Sequence, residues 1–209
     1  MRLRLAPTLL LPILLCHSES ALAESKWAPQ DTCSEVEGAR SFLDSLKTAV
    51  ETRDTDAVIA LATDDILLDF GGGAGGTELR SRLDDGLWGE LDKLLALGCV
   101  VNPGGDLTLP WIFEQDLGDA DPFSTMLVVA RDEPVRAEPS ASARVIATIS
   151  WDLVEVASLD SEQPFQAVTL ADGREGYVAT GRLRSIVDYR LIASRVGGQW
   201  KIAALVTGD

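Results

Sequence analysis

The chain changes its periodicity once, after Phe123, and that change limits the folds open to it. Before it, apolar residues recur at three- and four-residue spacing: Val36, Ala39, Phe42, Leu43, Leu46, Ala49 and Val50 lie on one helical stripe. Ser34 and Glu37 stand as a capping box at its start, which predicts a helix reaching about Arg53. A shorter helix follows Thr55, and "ILLDF" (Ile66 to Phe70) reads as a brief buried strand. Leu87, Trp88, Leu91, Leu94, Leu95 and Leu97 make another helical stripe, with Gly98 placed as its C-terminal glycine. In the apolar run Leu107 to Phe113, Pro110 allows only an edge strand or an extended segment.

After Phe123 the chain becomes a series of short β-type runs: "MLVVA", "RVIATIS", "DLVEVAS", "FQAVTL" and "GYVAT", separated by turn residues. Asp172-Gly173 sits where a tight hairpin needs a residue with positive φ. The tail, "YRLIASR" and "WKIAALV" about Gly197-Gly198, reads as a second hairpin. A two-stranded hairpin is marginal alone, so this one is expected to pack back on the helical front half, which needs strands. The expected class is α+β: signal peptide 1–23, helical α+β unit 32–113, acidic linker 114–123, small β-barrel 124–187 and terminal hairpin 188–209.

The first of these segments carries Arg2 and Arg4, an apolar run from Leu5 to Leu15 and an Ala21-Leu22-Ala23 cleavage site. The run is broken by Pro7 and Pro12 and is shorter than a spanning helix, so no stable membrane insertion is expected. A periplasmic or secreted location follows, after cleavage near Ala23. In such an oxidising compartment an even pair of cysteines is usually bonded, and Cys33 with Cys99 is the pair that remains.

Cleavage also removes His17, the one histidine of the chain. Serine or cysteine catalysis through histidine and histidine-bearing zinc sites are then closed to it. The formal net charge of −15 repels nucleic acid and anionic lipid, because phosphate binding depends on clustered Lys and Arg. Neither cofactor nor metal is expected, and the acids Glu114, Asp116, Asp119 and Asp121 read as a solvated linker rather than a calcium loop. The Gly-rich "GGGAGG" (Gly71 to Gly76) reads as a turn, since no repeated strand-helix units surround it.

The stretches "VRAEPSASARVIATISWDLVEV" (Val135 to Val156) and "FQAVTLADGREGYVATGRL" (Phe165 to Leu183) resemble bacterial SH3-type (SH3b) domains. Asp172, Gly173, Arg174, Gly176, Tyr177 and Val178 fit that family's closing hairpin. The resemblance implies a small barrel that grips a cell-wall peptide or an envelope protein, with Trp151, Phe165, Tyr177 and the neighbouring Tyr189 as ligand-contact residues. The segment carries fewer aromatics than such groove binders present, and Leu183 stands where another is often found. The front half with the terminal hairpin resembles the cone-shaped NTF2-like α+β fold. The leading expectation is therefore an exported, noncatalytic envelope protein with a binding or assembly module. The alternative is a small-molecule site, or carboxylate chemistry through Asp65, Asp69 or Asp106, in a pocket of the front half.

Overall fold

The computed structural model describes residues 25–208; the expected signal peptide and its cleavage site lie outside the described residues. In chain order the elements are β1 (Gln30–Asp31), α1 (Ala39–Glu51), α2 (Thr55–Leu61), β2 (Ala62–Leu67), α3 (Gly76–Arg82), α4 (Trp88–Ala96), β3 (Gly98–Val101) and β4 (Leu107–Leu109). There follow β5 (Thr125–Val128), β6 (Glu133–Arg136), β7 (Val145–Ile149), β8 (Leu153–Glu155), β9 (Phe165–Leu170), β10 (Glu175–Ala179) and β11 (Leu183–Ser185). The chain ends with β12 (Arg190–Val196) and β13 (Gln199–Val206). This is an α+β protein with two sheets.

The first sheet is six-stranded in the order β1-β3-β4-β12-β13-β2. As expected, the terminal hairpin packs back on the front half, where it supplies two interior strands of the sheet. Leu191 pairs with Leu109 on one side, and Ile202 pairs with Ala62 on the other. Helices α1 to α4 cover this sheet. Ala39, Phe42, Leu46, Ala49 and Val50 of α1 meet Leu79, Leu91 and Leu94 of the later helices and Leu191, Trp200 and Ile202 of the hairpin in one apolar cluster.

Local expectations fail in three places. No capping box forms at Ser34: α1 begins at Ala39 behind Gly38, which has φ 74°. The Glu37 carbonyl instead accepts the Trp200 indole N–H at 3.0 Å and a guanidinium N–H of Arg195 at 2.6 Å, so the helix cannot start there. The strand expected at Ile66 to Phe70 begins four residues earlier, because its register follows β13 rather than its own apolar run. β4 is an interior strand between β3 and β12, not an edge, since Pro110 falls just past its last residue.

The second sheet is seven-stranded, β11-β5-β8-β9-β10-β6-β7, with every pairing antiparallel. It wraps a core of Met126, Val128, Val135, Val154, Val168 and Val178. The barrel expected here does not close by strand pairing among the described residues. At the β7 edge, the Arg174 guanidinium donates to the Ile146 carbonyl at 3.4 Å, so a side chain stands where a further strand would pair. The hairpin between β9 and β10 is formed as expected. The Gly173 N–H donates to the Leu170 carbonyl at 2.8 Å, and Gly173 has φ 81°.

A third apolar cluster joins the two sheets: Leu97, Trp111, Ile112 and Leu127, with Trp27, Trp151 and Leu153 packed against it. Strand β5 explains why "MLVV" is uninterrupted: Met126 and Val128 face the second core while Leu127 faces the junction, so both faces are buried. The buried Arg184 of β11 adds polar contacts, with its guanidinium 3.3 Å from Glu90 of α4 and 3.2 Å from Asp188. It also donates to the Tyr189 carbonyl at 2.8 Å. A buried guanidinium is tolerable only when so partnered.

Gly176 lets β10 cross close to β6. A Cβ there would lie 2.5 Å from Val135 Cγ1 and 3.0 Å from the Arg136 carbonyl oxygen. Gly176→Ala is expected to lower unfolding free energy by about 1–3 kcal/mol, the usual range for overpacking. Gly181→Ala, which meets nothing within 4 Å, should change it far less. Urea unfolding of both variants makes the comparison, and equal losses would contradict the close-approach reading.

Candidate functional site

The aromatics expected to contact a ligand are dispersed. Trp151 (φ 54°) packs against the junction cluster, and its indole N–H is buried without a hydrogen-bond partner among the described residues. Its backbone carbonyl accepts the Ser25 hydroxyl at 2.9 Å, which fixes the N-terminal segment to the second sheet. Tyr189 packs on the first core. Phe165 is half-buried at the start of β9, opposite Ala179. Trp151 and Tyr177 therefore do not share one groove.

Tyr177 does line a groove of about 400 Å³, on the outer face of β8, β9 and β10. Strand alternation builds it. Val154, Val168 and Val178 point into the core, so Glu155, Ala167, Thr169, Glu175 and Tyr177 face outward. Pairing sets Tyr177 directly opposite Ala167 and sets Thr169 opposite both Glu175 and Glu155. The result is a row across three strands, Glu155-Thr169-Glu175, beside a small-residue floor and one aromatic ring. Neither glutamate has an ion-pair partner among the described residues, so the groove holds two uncompensated carboxylates about two strand spacings, roughly 9–10 Å, apart. The hairpin pattern identified Tyr177; the two glutamates could have been found only from the strand register.

The disulfide Cys33–Cys99 is formed, with Cα atoms 5.6 Å apart, and ties the segment before α1 to β3. Asp31 lies near both sulfurs, but these are bonded to each other and offer no thiolate to a metal.

Of the acids considered for carboxylate chemistry, Asp65 is exposed on β2 and Asp106 stands in the turn before β4. Asp69 organises the glycine-rich loop. Its carboxylate accepts the Gly73 N–H at 2.8 Å and the Gly71 N–H at 2.7 Å, and it pairs with the Arg82 guanidinium. Arg82 in turn donates to the Leu68 carbonyl at 2.6 Å and to Glu78 at 2.8 Å. A Cβ on Gly73 would collide with both Asp69 and Arg82, so this glycine makes room for an ion pair rather than for a phosphate. The Gly73 N–H first, then Arg82, bring the Asp69 pKa down from its ordinary 3.8 to about 2. A general base needs a raised value, so Asp69 is set for structure and not for proton abstraction.

No protein-family model matches the chain, and no curated protein matches it. Among solved structures it is similar to one titled Rd1NTF2_05, a multiply substituted variant, at 11% identity over 81% of this chain and 96% of that one, with TM-score 0.31. It is also similar to a Nostoc punctiforme protein of unknown function with a cystatin-like fold, at 9% identity over 81% and 86% of the chains, TM-score 0.27. A putative calcium/calmodulin dependent protein kinase II association domain from Xanthomonas campestris gives 10% identity over 88% and 98%, TM-score 0.29. Superpositions this loose carry no argument about function, which rests on the residues above.

Because the pKa of Asp69 is depressed on folding, its contribution to stability is present above about pH 4 and is lost as pH falls toward about 2. Asp69→Asn is expected to lower the urea midpoint at pH 7. The gap from the unsubstituted protein should close between about pH 4 and pH 2. A gap unchanged across that interval would contradict the assignment.

Proposed function

We propose that this is an exported, noncatalytic binding protein whose seven-stranded unit takes a basic or zwitterionic peptide, from the cell wall or from an envelope protein, in the groove beside Tyr177. The observation that supports it most is the pairing of an outward tyrosine with Glu155 and Glu175 on a rigid sheet face. A cationic side chain can approach the tyrosine ring and a carboxylate together, which is how aromatic rings and acids recognise ammonium groups. The hairpin that carries Tyr177 is also the segment resembling SH3b domains, so the groove lies on the part of the chain for which a binding role was expected.

The exported state rests on the reading of residues 1–23, and two observations agree with it. The disulfide suits an oxidising compartment, and no helix among the described residues is long and apolar enough to cross a membrane. With Trp151 engaged at the junction, recognition does not require a row of aromatics. The apolar junction and Arg184 hold the binding unit to the front unit, so a ligand would meet one preorganised body.

The test is co-sedimentation of the exported chain with purified cell wall, together with titration of a lysine-bearing peptide. Tyr177→Ala should weaken binding about tenfold, equivalent to about 1.4 kcal/mol. The double change Glu155→Gln and Glu175→Gln should remove the salt-sensitive part of the affinity. Absence of binding to both wall and peptide, or binding indifferent to all three substitutions, would sink the proposal.

A further inference from the structure

A second concavity, on the opposite unit, is independent of the groove and stands whether or not that one is used. It is a cleft of about 390 Å³ between α1, α4 and the β1-β3 edge of the first sheet, a size within the range of small-molecule sites. Leu43 and Val50 of α1, Leu95 of α4 and Leu109 of β4 form its floor. Leu43 and Leu95 are only half-buried, so their carbon faces the cleft uncovered. Cys99 closes one end, and through its bond to Cys33 it braces that wall.

The mouth is acidic, and its charges are unevenly matched. Asp92 is occupied by a two-pronged contact from the Arg53 guanidinium, at 3.0 and 2.6 Å, which holds its carboxyl below the usual carboxylate range. Lys47 stands 3.8 Å from Glu51. Two acids remain. Among the described residues, Asp31 accepts only the neutral Cys33 and Ser34 N–H groups, at 2.9 and 3.2 Å, and Asp44 has no ion-pair partner. Two half-exposed leucines, Leu43 and Leu95, under two carboxylates without an ion-pair partner among the described residues, in a chain of net charge −15, disfavour anionic ligands and leave a cationic group with a carboxylate to meet.

We infer that this cleft binds a small organic cation, with an aromatic or branched apolar body against Leu43 and Leu95 and an ammonium group held at the mouth by Asp44 and Asp31. The apolar body gives affinity through area removed from water, and the carboxylates set the preference for charge. Arg53 and Lys47 are already engaged by acids, so neither is set to draw a carboxylate ligand inward.

The experiment is calorimetric titration of the exported chain with phenethylammonium, phenethyl alcohol and phenylacetate, which share one ring and differ in charge. The ammonium should bind at least about ten times more tightly than the carboxylate, with the alcohol between them. Asp44→Asn should weaken the ammonium toward the level of the alcohol while leaving the alcohol unchanged. Ala96→Trp, at an exposed position on the rim, should block all three probes without moving the thermal midpoint. If that variant fails to fold, Asp44→Asn and the order of the three probes still decide the matter. No saturable ammonium binding, equal affinity for the three probes, or an ammonium affinity indifferent to Asp44→Asn would overturn the inference.

Discussion

The structure depends on one topological constraint: the last strands of the chain occupy the centre of the first sheet. β12 pairs with β4 and β13 pairs with β2, so β2 has no strand partner and β4 has only β3 until the C-terminus arrives. Trp200 and Arg195 then reach back to the Glu37 carbonyl and set the start of α1. Everything between β4 and β12 has to return the chain to the place it left. The seven-stranded unit does this, and half of its six pairings join strands consecutive in sequence, such as β6 with β7 and β9 with β10. Long-range pairing is slow because loop-closure entropy precedes any gain from contacts, and a middle unit that folds locally shortens the loop to be closed.

What the sequence made legible follows from where the deciding interactions are local. The Asp172-Gly173 and Gly197-Gly198 turns carry their own conformational reason, and both hairpins are present. The α1 stripe is read correctly because burial of one helical face leaves a fixed spacing. The pairing of Cys33 with Cys99, expected from an oxidising compartment and an even count after cleavage, is present. What was not legible is set by distant partners. Ser34 and Glu37 have the right spacing for a cap, but residues more than 150 positions away take the Glu37 carbonyl. Pro110 argued for an edge, yet it lies one residue beyond the strand it was thought to limit. Trp151 belongs to a junction between sheets that no local pattern announces.

The candidate site shows the same division. Tyr177 is readable from its hairpin, whereas Glu155 and Glu175 become neighbours of Thr169 only through pairings in two ladders. The glycine-rich loop warns against reading motifs without their context. Its glycines make room for Asp69 and Arg82, and the ion pair closes the loop on itself. With 33 acidic against 18 basic residues, some carboxylates in both units, such as Glu155, Glu175 and Asp44, have no ion-pair partner among the described residues.

Native-state hydrogen exchange tests the central constraint most directly, because it reads opening free energies strand by strand. If the terminal hairpin holds the first sheet together, the amides of β12 and β13 will exchange with the same opening free energy as those of β2, β4 and α1. If β12 and β13 open at lower free energy while β2, β4 and α1 keep their protection, the hairpin is an accessory to the sheet and the account of this fold is wrong.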